Sequence, residues 1–280
     1  MREIDVKVIA DTVAELSKEA NFFLGDDVTA AFQKGMENET SKVGKEVFRQ
    51  LLENARIARE EQVPMCQDTG YPVVFIELGQ EIALVGGYFN EAVNEGIRRG
   101  YKEGYLRNSI VNDPLERKNT GDNTPAVVHV ELVPGDKIGI TVMPKGGGSE
   151  NTGQIKMLTP SQGMQGLIDF VVDTVKKSGP NPCPPIIVGV GFGATFEKVA
   201  FLAKKALLRP VGQFHHNPFY ADLEQDLLRR INNTGIGPMG FGGRITALDV
   251  NIETSPCHIG TMPAAVNINC HASRHARRVI

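Results

Sequence analysis

Cys66-Gln67-Asp68-Thr69-Gly70 sets a thiol, an amide, a carboxylate and a hydroxyl in consecutive positions, just after Pro64 blocks helical geometry. Two more cysteines stand in equally unusual settings, Pro182-Cys183-Pro184-Pro185 and Asn269-Cys270-His271-Ala272-Ser273-Arg274. A single cysteine is ordinarily a small core hydrophobe, and Cys257 fits that role. Cys66, Cys183 and Cys270 differ because Pro, Gly, Asn or Asp surround each, the signature of loop ends where distant side chains can converge. Three such thiols suit one shared ligand. A four-iron cluster normally takes four cysteines, and holding it with three leaves one iron open as a Lewis acid. Two other readings of the same thiols stand beside it. One is a zinc site using Cys257, Cys270 and a histidine of the His271-x-x-x-His275 pair, and the other a non-enzymatic iron-sulfur carrier or scaffold with Cys257 as fourth ligand.

The remaining polar motifs suit an anionic ligand. Lys145-Gly146-Gly147-Gly148-Ser149 reverses the phosphate-loop order, its lysine preceding the glycines, but three consecutive glycines can expose a nest of N–H groups to an anion. Arg107 and Arg117 carry guanidinium forks matched to carboxylates. Gly189-Val190-Gly191-Phe192-Gly193-Ala194 formally fits a dinucleotide fingerprint, yet the acidic residue expected about twenty positions on is missing, since that region reads Arg209-Pro210-Val211-Gly212-Gln213. A tight strand-to-helix turn accounts for those glycines. His129 and the His215-His216 pair read as structural, and Arg274, His275, Arg277 and Arg278 as a solvated basic tail.

Elements must position these groups. Residues 2 to 60 read as helices, with Ile9, Val13 and Leu16 at helical spacing and Val43, Val47, Leu51 and Ala55 forming a stripe on a third segment. Val73 to Leu78 reads as a buried strand and Tyr88 to Arg99 as a helix. Alternation in Val128-Val130-Leu132 and Ile138-Ile140-Val142, separated by Pro134-Gly135-Asp136, predicts an antiparallel hairpin. Further helices are expected over about Gln162 to Lys177, Glu197 to Leu208 and Tyr220 to Arg230, and strands over Pro185 to Val190, Ile245 to Ile252 and Ala265 to Cys270. No low-complexity linker or repeat interrupts the pattern. The fold class expected is α+β: a single mixed domain over 1–280, with a helical N-terminal region and largely antiparallel strands interleaved with helices.

Composition narrows the function classes. With 280 residues and 41% hydrophobic content the chain can bury a full core, and a net charge of -3 with scattered basic residues supports neither nucleic acid nor membrane as a partner. The first residues carry acids at once and no run reaches membrane-spanning length, so a cytoplasmic enzyme is expected. Four cysteines are too sparse for a disulfide framework.

Taken together, Cys-Gln-Asp-Thr-Gly at 66 to 70, Leu-Arg-Asn-Ser at 106 to 109, Asn-Thr-Gly-Asp-Asn-Thr-Pro-Ala at 119 to 126, Lys-Gly-Gly-Gly-Ser at 145 to 149, Pro-Cys-Pro-Pro at 182 to 185 and Asn-Cys-His-Ala at 269 to 272 carry a family likeness. In order and approximate interval they resemble the iron-sulfur class I fumarate hydratases and L-tartrate dehydratases. The resemblance implies a [4Fe–4S] cluster on Cys66, Cys183 and Cys270, with Cys257 a bystander. It further implies Gln67, Arg107, Gly147 and Gly148 as contacts of a small dicarboxylate, and Asp68 as the acid that protonates the departing hydroxyl, provided burial or nearby negative charge keeps it protonated. Single-polypeptide members continue into a second domain, whereas this chain ends at Ile280. The resemblance is therefore to the α subunit of the two-subunit form, implying a β subunit that carries the catalytic base, a threonine, with further substrate-binding arginine and lysine residues, and an α2β2 assembly. Fumarate and (S)-malate are the substrates implied first, and L-tartrate second.

Overall fold

A short strand β1 (Arg2–Asp5) leads directly into helix α1 (Val6–Phe22), whose first turn is capped by the Asp5 carboxylate accepting the Lys7 N–H at 2.8 Å. The computed structural model describes residues 1–280. Helices α2 (Asp26–Asn38) and α3 (Lys42–Glu61) follow, then strands β2 (Tyr71–Gly79) and β3 (Ile82–Val85), helix α4 (Phe89–Glu103), and strands β4 (Val127–Val133) and β5 (Ile138–Lys145). The second half carries a helical turn α5 (Gly147–Glu150), strand β6 (Gln154–Leu158), helix α6 (Gly163–Ser178), strand β7 (Ile186–Gly193) and helices α7 (Phe196–Ala206) and α8 (Pro218–Asn232). Strands β8 (Ala247–Ser255), β9 (Met262–Asn269) and β10 (Ala276–Val279) complete the chain. The fold is α+β as expected, and four of its seven strand pairings are antiparallel.

The chain packs as two compact units, 1–24 with 55–147 and 274–280, and 25–54 with 148–273. In the first, a four-stranded sheet runs β10-β5-β2-β4, and β1 pairs with β3. Apolar residues of one sheet face, Val74, Ile76, Ile138, Ile140 and Val142, meet Ile9, Val13 and Leu16 of α1 and Val93 and Ile97 of α4 in one buried cluster. These are the stripes that helical spacing marks in the sequence. In the second unit the sheet runs β6-β9-β7-β8. Val188 and Val190, with Ile252 and Ile268, pack there against Leu167, Phe170, Val171 and Val175 of α6 and Leu227 and Ile231 of α8.

Four expectations are corrected. The strands at Val127 and Ile138 form, but not as a hairpin: β2 lies between them, parallel to β4 and antiparallel to β5. Their connection crosses the end of β2, where Gly79, Gln80 and Glu81 donate to Lys137, Val133 and Gly135. The reason is burial, since every residue of β5 is buried and needs neighbours on both edges, whereas no residue of β4 is buried and it takes the rim. Second, residues 2–5 are a strand where helix was expected, and 154–158 form a strand where none was assigned. Third, Gly189 and Gly191 sit within β7 rather than at a turn; a Cβ there would stand 2.2 Å from Ala203 O and 2.1 Å from Val199 O, so these glycines let the α7 backbone lie directly on the strand. Last, the C-terminal basic residues are no solvated tail: β10 pairs with β5, Arg274 is buried, and Arg277 and Arg278 bond Glu77 and Glu15.

Candidate active site

Helix α3 ends at Glu61, where Gln62 turns to φ +53°, and Pro64 follows before 66–70 run as a loop into β2. Gly70 closes it. With φ +82° and a would-be Cβ 2.7 Å from Lys145 N, this position admits only glycine, and it brings the loop against the end of β5. The main chain of the loop is then clamped from three sides. The buried Tyr101 hydroxyl donates to Thr69 O at 2.7 Å and to Gly70 O at 3.0 Å, and burial pushes that phenol's pKa upward. Asn123, fully buried, donates to Gly70 O at 3.2 Å and accepts the Ser109 N–H at 2.6 Å. Arg274 donates through Nη2 to Asp68 O.

Held this way, the Asp68 carboxylate is directed at donors. Its Oδ2 accepts the Gly147 N–H at 2.8 Å, and its Oδ1 accepts the Gly70 N–H at 3.1 Å and Arg107 Nη2 at 3.4 Å. The half-exposed Arg107 fork also reaches Ser109 Oγ at 3.3 Å, and Thr69 Oγ1 donates to Arg107 O at 3.0 Å. Cys66 is half-buried on the same loop with its Sγ 3.5 Å from Gln67 Oε1, and Gln67 is exposed. The first unit thus gathers Cys66, Gln67, Asp68, Arg107 and Gly147. Arg274, Tyr101 and Asn123 support them and were missed in the sequence, although Asn123 and Arg274 lie inside quoted motifs.

The second unit gathers Gly148, Cys183 and Cys270. The His271 N–H donates to Cys183 O at 3.2 Å, which ties the two cysteine loops together. Cys183 adopts φ +53°, a strained value for a residue with a side chain, and its N–H donates to Pro180 O at 2.9 Å. A Cβ on Gly148 would stand 3.4 Å from Asn181 O in the same loop. Cys183 is exposed and Cys270 partly so, and neither forms a disulfide. Cys257 lies apart in its own exposed turn, where its Sγ donates to Thr261 O at 3.3 Å. The chain passes between the units at Gly147-Gly148 and at Ser273-Arg274, inside two of the segments singled out in the sequence.

The donor chemistry fits an iron-sulfur group. Soft thiolates on accessible loops are its usual ligands. Arg274 keeps Nε and Nη1 buried without a hydrogen-bond partner, a surplus of cationic donors that an anionic group satisfies. Nowhere do three or more His, Cys, Asp or Glu side chains gather closely enough to hold a single metal ion, so the zinc arrangement does not form. A cubane places each thiolate on a different iron and spreads them more widely. Of the histidines, His129 lies against Phe75 with ring centroids 5.2 Å apart, and His215 is buried, its N–H donating to Glu224, with its pKa lowered by burial and by neighbouring His216.

Comparison with known proteins agrees. The profile of the family described as Fumarate hydratase (Fumerase) matches residues 10–279. The chain belongs to the fumarate hydratase family. It is 42% identical over 274 residues to a protein of Methanocaldococcus jannaschii provisionally named L(+)-tartrate dehydratase subunit alpha, covering 96% of each chain. Proteins of Escherichia coli and Shigella sonnei named L(+)-tartrate dehydratase subunit alpha are each 32% identical over 278 residues, covering 98% of this chain and 91% of theirs. The chain is therefore a hydro-lyase of the class I type that its motifs resemble. No helix is long and apolar enough to cross a membrane.

Proposed function

We propose that this chain is the α subunit of a [4Fe–4S]-dependent hydro-lyase that interconverts fumarate and (S)-malate, with Cys66, Cys183 and Cys270 as the cluster ligands. The observation that carries the reading is the convergence of the Arg107 guanidinium and the Gly147 N–H on the Asp68 carboxylate, two residues from Cys66 on the same loop. Bound there, the cluster would supply one iron with an open position as a Lewis acid toward the substrate carboxylate and hydroxyl. Arg107 would grip a substrate carboxylate through its planar fork, while Gln67 and the Gly147 and Gly148 amides orient it. Asp68, once protonated, would donate to the departing hydroxyl oxygen and release water. The carbon-bound proton would go to a base on a β subunit, the partner that the alpha-subunit names of the relatives suggest, in an α2β2 assembly. A cytoplasmic location fits this reading, since that reducing compartment keeps the thiolates available.

A second substrate reading has its own support: the relatives named above are called L(+)-tartrate dehydratase subunits. Tartrate is malate with one more hydroxyl, so the same grip and the same acid would serve, with oxaloacetate as product. Anaerobically prepared αβ complex assayed with (S)-malate and with L(+)-tartrate separates the two by kcat/KM. Turnover of either by iron-free complex at the full rate would remove the cluster from the proposal.

A further inference from the structure

We infer that β4 is a self-pairing interface strand, docking antiparallel on β4 of a second copy of this chain across a two-fold axis at Val130. The strand lies at the rim of the β10-β5-β2-β4 sheet and none of its seven residues is buried. Val130 is 48% and Leu132 69% exposed, aliphatic surface that a second strand could cover. The β10 and β6 rims carry cations, Arg277 and Arg278 on the one and Lys156 on the other, whereas the β8 rim carries Asp249 and Glu253, two like charges that oppose self-pairing. Between Pro125 and Pro134, β4 has neither lysine nor arginine.

Its sequence, Val127-Val128-His129-Val130-Glu131-Leu132-Val133, is complementary to itself when reversed. Pairing about Val130 sets Val127 opposite Val133, Val128 opposite Leu132, His129 opposite Glu131 and Val130 opposite its own copy. Every apolar residue meets an apolar one, and the imidazole meets a carboxylate. Sliding by one residue either way puts His129 or Glu131 opposite an aliphatic side chain. Sliding by two puts Glu131 opposite Glu131 or His129 opposite His129. Directly opposed side chains are the unit of sheet stability, so charge complementarity selects the Val130-centred register. An axis through that residue makes the contact isologous, as a closed dimer requires. The inference refines the assembly proposed above, by naming the contact between α chains, and does not depend on the substrate.

The test uses the full chain, alone and in complex with its β subunit, with light scattering to count α chains per particle. Two are expected, and Val130→Lys should weaken self-association at least about tenfold by opposing two ammonium groups on the axis. A strand pair of this length lies at the small end of stable interfaces, so one central charge is enough. Val130→Cys should yield a disulfide-linked α dimer on a non-reducing denaturing gel after mild oxidation, whereas the wild type and the exposed control Leu115→Cys should not. One α chain per particle in the wild type would overturn the inference. So would a dimer that survives Val130→Lys while Val130→Cys fails to cross-link, an outcome that leaves α2β2 standing and moves the contact elsewhere.

Discussion

The two four-stranded sheets are wired alike. In each, a buried central strand has a parallel neighbour on one side, reached through helix, and an antiparallel neighbour on the other, beyond which a fourth strand is again antiparallel: β4-β2-β5-β10 in the first unit and β8-β7-β9-β6 in the second. The reactive segments occupy matching places. Cys66 comes shortly before β2 and Cys183 shortly before β7, while Lys145 to Gly147 leaves β5 and Cys270 leaves β9. Register puts each pair of segments at one sheet end, with Tyr71 opposite Lys145 and Ile187 opposite Asn269. The equipment differs. The first unit carries the carboxylate, the guanidinium groups and the Gly147 amide, and the second carries two of the three thiols. On the function proposed above, one scaffold end would serve charge and proton handling, and its counterpart soft-metal ligation.

If that comparison is right, Cys66 and Cys183 are equivalent in need as well as in place. Replacing Cys66, Cys183 or Cys270 by Ser should each abolish bound iron, read by metal analysis and the visible absorbance of anaerobic protein, with activity down by at least about a thousandfold. Cys257→Ser should keep both, because its thiol is engaged only with its own turn. Iron lost in Cys257→Ser, or kept in any of the other three, breaks the comparison and favours a carrier or scaffold. Asp68→Asn comes next in size. It should lower kcat by roughly 10²–10⁴ at unchanged iron content, the span expected for a general acid; a rate within about threefold of wild type would strip Asp68 of that role.

Much of this was legible in the sequence, and the parts that were not have physical causes. Ile9, Val13, Leu16, Val93 and Ile97 announce their helices because one face of each is buried. Alternation at Val128-Val130-Leu132 reveals a strand but says nothing about its neighbour, so the hairpin was misassigned. Gly189 and Gly191 read as a turn because a close approach of helix to strand leaves the same composition. Arg274 was hidden among other arginines, since charge gives no hint of burial. It now supplies a third prediction. Arg274→Gln should cut kcat/KM about 10–100-fold, by loosening the Asp68 main chain and removing two buried donors, and Arg274→Lys should restore little because a point charge cannot replace the fork. A fall in kcat at constant KM would assign the residue to positioning Asp68 alone, and a rise in KM would add contact with the anion.

The smallest effect is expected where the second unit does no chemistry. Glu39 is buried just beyond α2, and its carboxylate accepts the Thr40, Ser41, Arg244 and Ile245 amides at 2.7, 2.9, 2.9 and 2.8 Å. Burial alone would raise its pKa, but the amides of Ser41, Arg244, Ile245 and Thr40 outweigh it and hold the group below the ordinary 4.5. A carboxylate depressed on folding contributes stability that is complete above pH 4.5 and is lost as pH falls through the folded value. Glu39→Gln keeps the shape and removes the charge, so it should cost about 2–3 kcal/mol in denaturant unfolding near pH 7. The gap to wild type should narrow steadily below pH 4.5, where the native carboxyl is itself becoming neutral. Iron content and KM should stay as in the wild type. A gap that does not change with pH would assign the cost to lost packing, and a change in iron content would show that the segment Glu39 holds transmits to the Cys183 loop, whose Pro184 O accepts the Met239 N–H at 2.8 Å.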